Sequence, residues 1–212
     1  MSNIYTLKNE SRDEIYDYID KNIKPLPKKE DGTVDEYGTG LAENDIDALR
    51  HAYTSGRYTM IYGTSVSKVL GTSFEYIGLP SANTESSKNM DLWNNAVGRK
   101  YGKLAKTESE LIDLLLQSLK NGELIITPSD PRKYEGTMSQ AVDPNKPVVV
   151  AEESDTGLNT LFIDLVKGDV MDKDLFVSKI KTGNYKGYQI IKKGNLEFPM
   201  SKPDETTSNN LG

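Results

Sequence analysis

Two blocks of sequence, each about the length of a short helix, decide most of what this chain can fold into. The first runs from Asn44 to Tyr53, and the second runs from Met90 to Arg99. Apolar residues recur three or four positions apart in both blocks, which is the spacing of one helix face. The only histidine and the only tryptophan of the 212 residues also lie there. We therefore expect two amphipathic helices that pack together and bring their polar side chains into one cluster.

Further helix signals lie on both sides of this pair. Capping residues and apolar spacing predict three more helices, over residues 12–23, 64–77 and 107–121. We place the start of the first on Ser11, which forms a capping box with Glu14. Gly56 lies within the helix that follows Asn44. Because glycine costs about 1 kcal/mol in a helix interior, we expect another helix to pack closely at that position.

The pattern changes after Gly122, where short apolar runs alternate with loops rich in proline, glycine and aspartate. Strands are indicated at residues 123–127 and 148–150, a helix or a strand at 158–166, a helix at 172–181, and a hairpin at 185–192 and 196–200. The sequence therefore predicts an α+β fold. A predominantly helical N-terminal part of about five helices precedes a smaller mixed α/β part with a C-terminal β-hairpin.

The predicted domain division follows the same change of pattern. We expect a helical domain at residues 1–122 with a motif core at 44–102, a small mixed part at 123–200, and a polar extended tail at 201–212. Such a tail has few apolar groups with which to bury itself. We expect the polar ends, residues 1–10 and 201–212, to be mobile in a free monomer and to be held by neighbouring subunits in a large assembly.

The composition excludes several classes of partner. The net charge is -6 and the pI is about 5.0, which argues against binding nucleic acid through its phosphates. No apolar run approaches the roughly 20 residues that a membrane helix needs. The first residues show neither a basic nor an apolar segment of a signal peptide. We expect a soluble protein made in the cytoplasm.

The two blocks carry the candidate catalytic residues. Asp47 and His51 are four residues apart, so one helix face presents both, and the carboxylate can orient the imidazole. The second block repeats that four-residue spacing in Asp91, Asn95 and Arg99. The full candidate cluster is Asp47, His51, Glu75, Asp91, Asn94, Asn95 and Arg99. A base, an orienting acid and donors for an oxyanion form a hydrolase-like set. The same groups also suit a buried network that only satisfies its own hydrogen bonds.

Metal and cofactor motifs are missing from the sequence. There is no cysteine, no second histidine, no HExxH motif and no phosphate-binding glycine loop. We expect no cofactor and no bound metal, although the abundant carboxylates leave a Mg²⁺ or Ca²⁺ site open.

Three segments carry a resemblance to a known family. They are DALRHAY at 47–53, Leu70–Gly71 with Phe74–Glu75, and MDLWNNAVGR at 90–99. In order and spacing they resemble an uncharacterised domain of phage proteins and of the C-terminal ends of secreted bacterial proteins, including Rhs-type polymorphic toxins. Relatives with this pattern carry histidines where this chain has Phe74 and Trp93. The resemblance implies a scaffold that here keeps only one of three histidines suited to metal or acid–base chemistry.

Three functions remain open from the sequence. We favour a non-enzymatic component of a large assembly, most plausibly a bacteriophage virion protein of the tail or neck or one that is ejected. Its partners would be other protein subunits, reached through the N- and C-terminal tails. The alternative is a hydrolase-like effector or toxin domain that uses His51, Asp47 and the row Asn94, Asn95 and Arg99. A small binding module is the third.

Overall fold

The structure, a computed structural model, describes residues 3–77, 84–136, 146–203 and 211, with the side chains of residues 74–77 outside this description. The chain divides into two compact units, Tyr5–Met138 and Met1–Ile4 with Ser139–Gly212. Helices dominate the first part of the chain, and a small sheet and a hairpin lie in the second. The predicted α+β class and the C-terminal hairpin are confirmed.

Five helices are described in the first part of the chain. They are α1 (Ile4–Asn22), α2 (Asp45–Tyr62), α3 (Thr64–Ile77), α4 (Glu85–Gly102) and α5 (Glu108–Lys120). Asn44 caps α2 and Thr107 caps α5, because each side chain accepts hydrogen bonds from backbone N–H groups of the first turn. Both caps agree with the sequence prediction.

The helix α1 begins earlier than predicted. Ser11 is not an N-cap but lies in the helix interior, where its hydroxyl donates to the carbonyl oxygen of Leu7 at 2.7 Å. Ser and Thr bond the carbonyl four residues back when a helix continues through them. Ile4 and Leu7 extend the apolar face, and both are fully buried. That burial outweighs the capping-box pattern.

A close crossing of α2 and α4 forms the centre of the helical unit. A Cβ atom added to Gly98 would overlap the backbone of Ala52, and one added to Gly102 would lie 2.5 Å from the carbonyl oxygen of Gly56. The helix backbones can approach this closely only because glycine has no side chain. The predicted close packing at Gly56 is confirmed. The crossing holds α2 and α4 in a fixed register around the site described below.

The boundary after Gly122 is shifted in the structure. Residues 123–127 are not a strand, and Leu124 and Ile125 are buried in the core of the helical unit. A short apolar run in a sequence indicates burial, and it does not distinguish a buried strand from a buried loop. The helical unit therefore extends to Met138, with residues 137–145 outside the described part of the chain.

The second unit contains a three-stranded antiparallel sheet, one helix and a hairpin. Its elements are β1 (Val148–Glu153), β2 (Asn159–Asp164), β3 (Asp169–Asp172), α6 (Lys173–Lys181), β4 (Tyr188–Lys193) and β5 (Leu196–Ser201). The strands β1, β2 and β3 are neighbours in chain order, and β4 pairs with β5. Aromatic rings form the core, with Phe176 packed edge-on against Tyr185 and Tyr188. The ambiguous stretch 158–166 is thus a strand, and β3 was not foreseen.

Three described residues near the chain ends, Asn3, Ile4 and Leu211, have partners within this chain. The N–H of Ile4 donates to the carbonyl oxygen of Gly168 at 3.2 Å, and the side chain of Asn3 donates to Lys167. Leu211 is buried in the core of the second unit, and its N–H donates to the Ser201 hydroxyl at 2.9 Å. Residues 1–2, 204–210 and 212 lie outside the described part of the chain, and the expected contacts of both tails with other subunits stay a prediction. None of the described helices combines the length and apolar character that crossing a bilayer requires.

Candidate functional site

A cavity of about 690 Å³ opens in the helical unit. Residues of α1, the loop at 36–43, α2 and α4 form its wall, and Gly71 of α3 also borders it. Asp47 and His51 come from α2, and Asp91 and Asn95 come from α4. The two helices predicted to meet therefore do meet, and these four polar residues lie on the wall of a cavity.

The cap of α2 positions the first two of these residues. The side chain of Asn44 accepts the N–H groups of Ile46 at 2.9 Å and of Asp47 at 3.2 Å. This fixes the helix start, so Asp47 lies in the first turn and His51 follows one turn later on the same face. A carboxylate in the first turn is also favoured by the helix dipole.

A strained residue supports Asp47 from the loop. Glu43 has a positive φ of 56°, and among the described non-glycine residues it alone does. Its N–H donates to Asp47 Oδ2 at 2.8 Å, and its own carboxylate accepts the hydroxyl of Ser87 at 2.5 Å. Backbone in this region costs energy and is kept where the surroundings impose it. The contact leaves Asp47 Oδ1 directed at the cluster.

Four charged or titratable groups converge at the cavity wall. His51 Nε2 lies 3.2 Å from Asp91 Oδ1 and 3.6 Å from Asp47 Oδ1. Arg50 Nη2 lies 2.5 Å from Asp47 Oδ1 and 2.6 Å from His51 Nε2. The His51 side chain is 12% exposed and the two carboxyl groups are 8% exposed. With both carboxyl groups ionised and the imidazole neutral, the cluster carries one negative charge more than Arg50 balances.

Burial sets the protonation state of the imidazole. Loss of solvation and the positive charge of Arg50 lower the pKa of His51 to about 3, although Asp47 acts in the opposite direction. Burial disfavours the charged form of Asp47, yet its pKa is lowered overall, with His51 and Arg50 as the main opposing causes. The imidazole is therefore neutral near pH 7 and offers a lone pair.

The predicted residues separate into two groups. Asp47, His51, Asp91 and Asn95 line the cavity, whereas Asn94 and Arg99 do not. Asn94 is fully buried, and its amide pairs with the N–H of Ile125 at 2.9 Å and with its carbonyl oxygen at 2.8 Å. The guanidinium of Arg99 donates to the Tyr134 hydroxyl.

The structure does not describe the side-chain position of one predicted site residue. Glu75 belongs to α3, but its side chain lies outside the described residues.

Several cavity residues were missed from the sequence. Arg50 is the most important of them, and its position three residues after Asp47 is a signal for an ion pair on one helix face. Lys8 and Arg12 also line the cavity from α1, four residues apart. Lys8 was missed because α1 was predicted to start after Ser11.

Three of these side chains also have the arrangement of metal ligands. Asp47, His51 and Asp91 each offer one ligand atom, and these atoms all lie within 4.8 Å of one another. The sequence led us to expect no metal, because it supplied only one histidine. The structure adds two carboxylates from different helices to that histidine.

Comparison with known proteins supplies a family match but no activity. Residues 31–123 match a family described as a domain of unknown function (DUF6973). The match covers less than half of the chain and includes α2 to α5, and hence the cavity residues that these helices contribute, among them Asp47, His51, Asp91 and Asn95. Searches of curated proteins and of solved structures give no match.

Asn94 gives a benchmark for a purely structural role. We expect Asn94→Ala to lower the free energy of unfolding by about 2 kcal/mol, because both buried backbone groups of Ile125 would lose their partner. Urea denaturation followed by the fluorescence of Trp93 measures this. The exposed Asn121→Ala should stay within about 0.5 kcal/mol of the wild type. Equal stability of Asn94→Ala and Asn121→Ala would contradict the assignment.

Proposed function

We propose that this chain is a hydrolase and that the cavity around Asp47, His51 and Asp91 is its active site. The single observation that carries the proposal is the position of this cluster. Its members lie on the wall of a large cavity rather than sealed between α2 and α4. A volume of about 690 Å³ is within the range of small-molecule sites, which runs from about 300 to 1,000 Å³.

The chemistry of the wall suits hydrolysis. The reaction requires a group that withdraws a proton from water, and the lone pairs of His51 and the two aspartates supply it. It also requires positive charge or donors for the oxyanion that develops. Arg50 and Asn95 lie beside the acid–base groups, and Lys8 and Arg12 line the same cavity. The cavity thus combines both requirements within one space.

The polar residues of α4 fall into two groups with different surroundings, which supports different roles for them. Asn94 and Arg99 are occupied in packing contacts, whereas Asp91 and Asn95 of the same helix line the cavity. We therefore assign the acid–base work to Asp47, His51 and Asp91, and substrate orientation to Asn95. Arg50 is placed to stabilise negative charge on the substrate.

The proposal is tested with chromogenic esters, phosphodiesters, glycosides and peptides. We expect turnover of one class, and we expect His51→Gln and Asp91→Asn each to lower kcat/KM by at least about 100-fold. Asp113→Asn, an exposed acid on α5, is the matched control and should retain full activity. Failure of the wild type on all four classes, or full activity in His51→Gln and Asp91→Asn, would count against the proposal.

A second candidate is a non-enzymatic component of a large assembly, such as a phage virion protein. The use of Asn94 and Arg99 in packing favours it, because it removes two of the three residues of the row Asn94, Asn95 and Arg99 from any catalytic role. If this second candidate is right, His51→Gln and Asp91→Asn should still bind the neighbouring subunits and assemble like the wild type. Under the hydrolase proposal, the chain would act as an effector or toxin domain.

A further inference from the structure

We propose that Asp47, His51 and Asp91 bind one divalent transition-metal ion, and that the guanidinium of Arg50 competes with the ion for the same place. This inference rests on the proposed hydrolase function and refines it: the three residues would act on the attacking water through a bound ion, as its ligands, instead of withdrawing the proton directly. Metal binding needs no substrate, so it can be measured separately from hydrolysis.

The separations between the ligand atoms suit a single ion. His51 Nε2 stands 3.2 Å from Asp91 Oδ1 and 3.6 Å from Asp47 Oδ1. Two ligands bound at about 2.1 Å, with angles between octahedral and tetrahedral, stand about 3.0 to 3.4 Å apart. The third pair of ligand atoms, those of Asp47 and Asp91, lies within 4.8 Å, so rotation of these side chains would bring all three atoms onto one ion.

His51 Nε2 lies close to both a hydrogen-bond donor and a carboxylate oxygen. This nitrogen lies 2.6 Å from a guanidinium nitrogen of Arg50, which can only donate, and 3.2 Å from Asp91 Oδ1. One ring nitrogen cannot accept from the first and donate to the second at the same time. When Nε2 accepts from Arg50, it carries its lone pair, and it then lies with the carboxylate oxygens of Asp47 and Asp91 in one region, as a group of acceptors within 4.8 Å of one another. A positive centre in that region satisfies all three together.

Arg50 Nη2 currently supplies positive charge at the edge of that region. It lies 2.5 Å from Asp47 Oδ1 and 2.6 Å from His51 Nε2, so it approaches two of the three ligand atoms. The Arg50 side chain is 27% exposed and borders the cavity, which gives it room to swing away. A metal ion and Arg50 cannot both take this position, because their charges repel and their atoms would overlap.

Neighbouring groups hold the ligands in orientation. The N–H of Glu43 donates to Asp47 Oδ2, which leaves Oδ1 for the ion, and Asn95 hydrogen-bonds the imidazole of His51. Such partners are typical of metal sites, where they orient the ligating side chains. Three protein ligands at a cavity wall leave coordination positions for water or substrate, as in catalytic sites.

The ligand types select the class of ion. An imidazole suits transition metals such as Zn²⁺, and carboxylates suit Mn²⁺ and Mg²⁺. One imidazole with two carboxylates therefore favours Mn²⁺ or Zn²⁺ over Ca²⁺, which prefers six to eight oxygen ligands.

The test is calorimetric titration of the full chain with MnCl₂ and with ZnCl₂. We expect one ion per chain. Arg50→Gln should bind it about 10-fold more tightly, and Asp91→Asn about 10-fold or more weakly. Two control variants remove an exposed charge away from the cavity and should leave the affinity unchanged. Lys103→Gln removes a positive charge, as Arg50→Gln does, and Asp113→Asn removes a negative charge, as Asp91→Asn does. Circular dichroism confirms that each variant is folded.

Three results would overturn the inference. They are an affinity weaker than about 1 mM in both the wild type and Arg50→Gln, unchanged affinity in Asp91→Asn, and weaker binding in Arg50→Gln than in the wild type. The two proposals fail differently. Hydrolysis that survives chelation and requires His51 refutes the metal site alone, whereas tight binding without turnover of any substrate class refutes the hydrolase alone.

Discussion

Gly98→Ala should destabilise the helical unit by about 3 kcal/mol or more, although alanine is the better helix former by about 1 kcal/mol. The added Cβ would overlap the backbone of Ala52, and a helix backbone cannot move aside as a flexible side chain can. The helices α2 and α4 would have to separate along the whole crossing, which also includes Gly56 and Gly102. The cluster at the cavity wall would then lose its register.

Urea denaturation followed by Trp93 fluorescence measures this effect, because Trp93 lies on α4 and donates to the carbonyl oxygen of Glu123 within the same unit. Ser86→Ala is the control, since Ser86 is exposed on the same helix and its substitution should change the stability by no more than about 0.5 kcal/mol. A neutral or stabilising Gly98→Ala would show that the two helices do not approach as closely as described.

Asp164→Ala should destabilise the second unit by about 3 kcal/mol. Asp164 is fully buried and accepts three hydrogen bonds, from the Tyr185 hydroxyl at 2.7 Å and from the N–H groups of Val166 and Lys167 at 2.9 and 2.8 Å. Alanine would leave the buried hydroxyl of Tyr185 without this acceptor and would release the turn that joins β2 to β3. Asp164→Asn keeps one acceptor oxygen and should lose about half as much.

Hydrogen exchange of the amides in β1, β2 and β3 is the appropriate measurement, because the only tryptophan lies in the other unit. We expect faster exchange across these strands in Asp164→Ala and none of this change in Asp155→Ala, which removes an exposed acid from the turn between β1 and β2. Wild-type protection of β2 in Asp164→Ala would contradict the structural role of Asp164.

Local signals in the sequence were sufficient to predict α2 and α4, the two helices that carry the candidate site. The caps of α2 and α5 depend on residues within one turn, and the apolar spacing of α2 and α4 depends on the helix period alone. The same local logic failed at Ser11, where burial of Ile4 and Leu7 extends α1 through a capping pattern. Long-range packing decided that helix, and no short window of sequence contains it.

The candidate site shows the same limit. Spacing on a single helix paired Asp47 with His51, but it could not distinguish Asp91, which faces the cavity, from Asn94, which faces Ile125. That distinction depends on the rotation of α4 at its crossing with α2. The crossing in turn depends on contacts of Gly98 and Gly102 with residues more than 40 positions earlier in the chain. Asp91 comes close to Asp47 and His51, to form a possible set of metal ligands, only because α2 and α4 cross in this way.

The central claim is that the Asp47–His51–Asp91 cluster serves function rather than packing. The most direct test is the unfolding free energy of Asp91→Asn beside that of Asn94→Ala, both followed by Trp93 fluorescence. Asp91→Asn leaves Asp47 and Arg50 as a balanced pair, so we predict a stability no more than about 0.5 kcal/mol below the wild type. A loss of about 2 kcal/mol or more, equal to that of Asn94→Ala, would show that Asp91 holds the helices together, and would contradict the account.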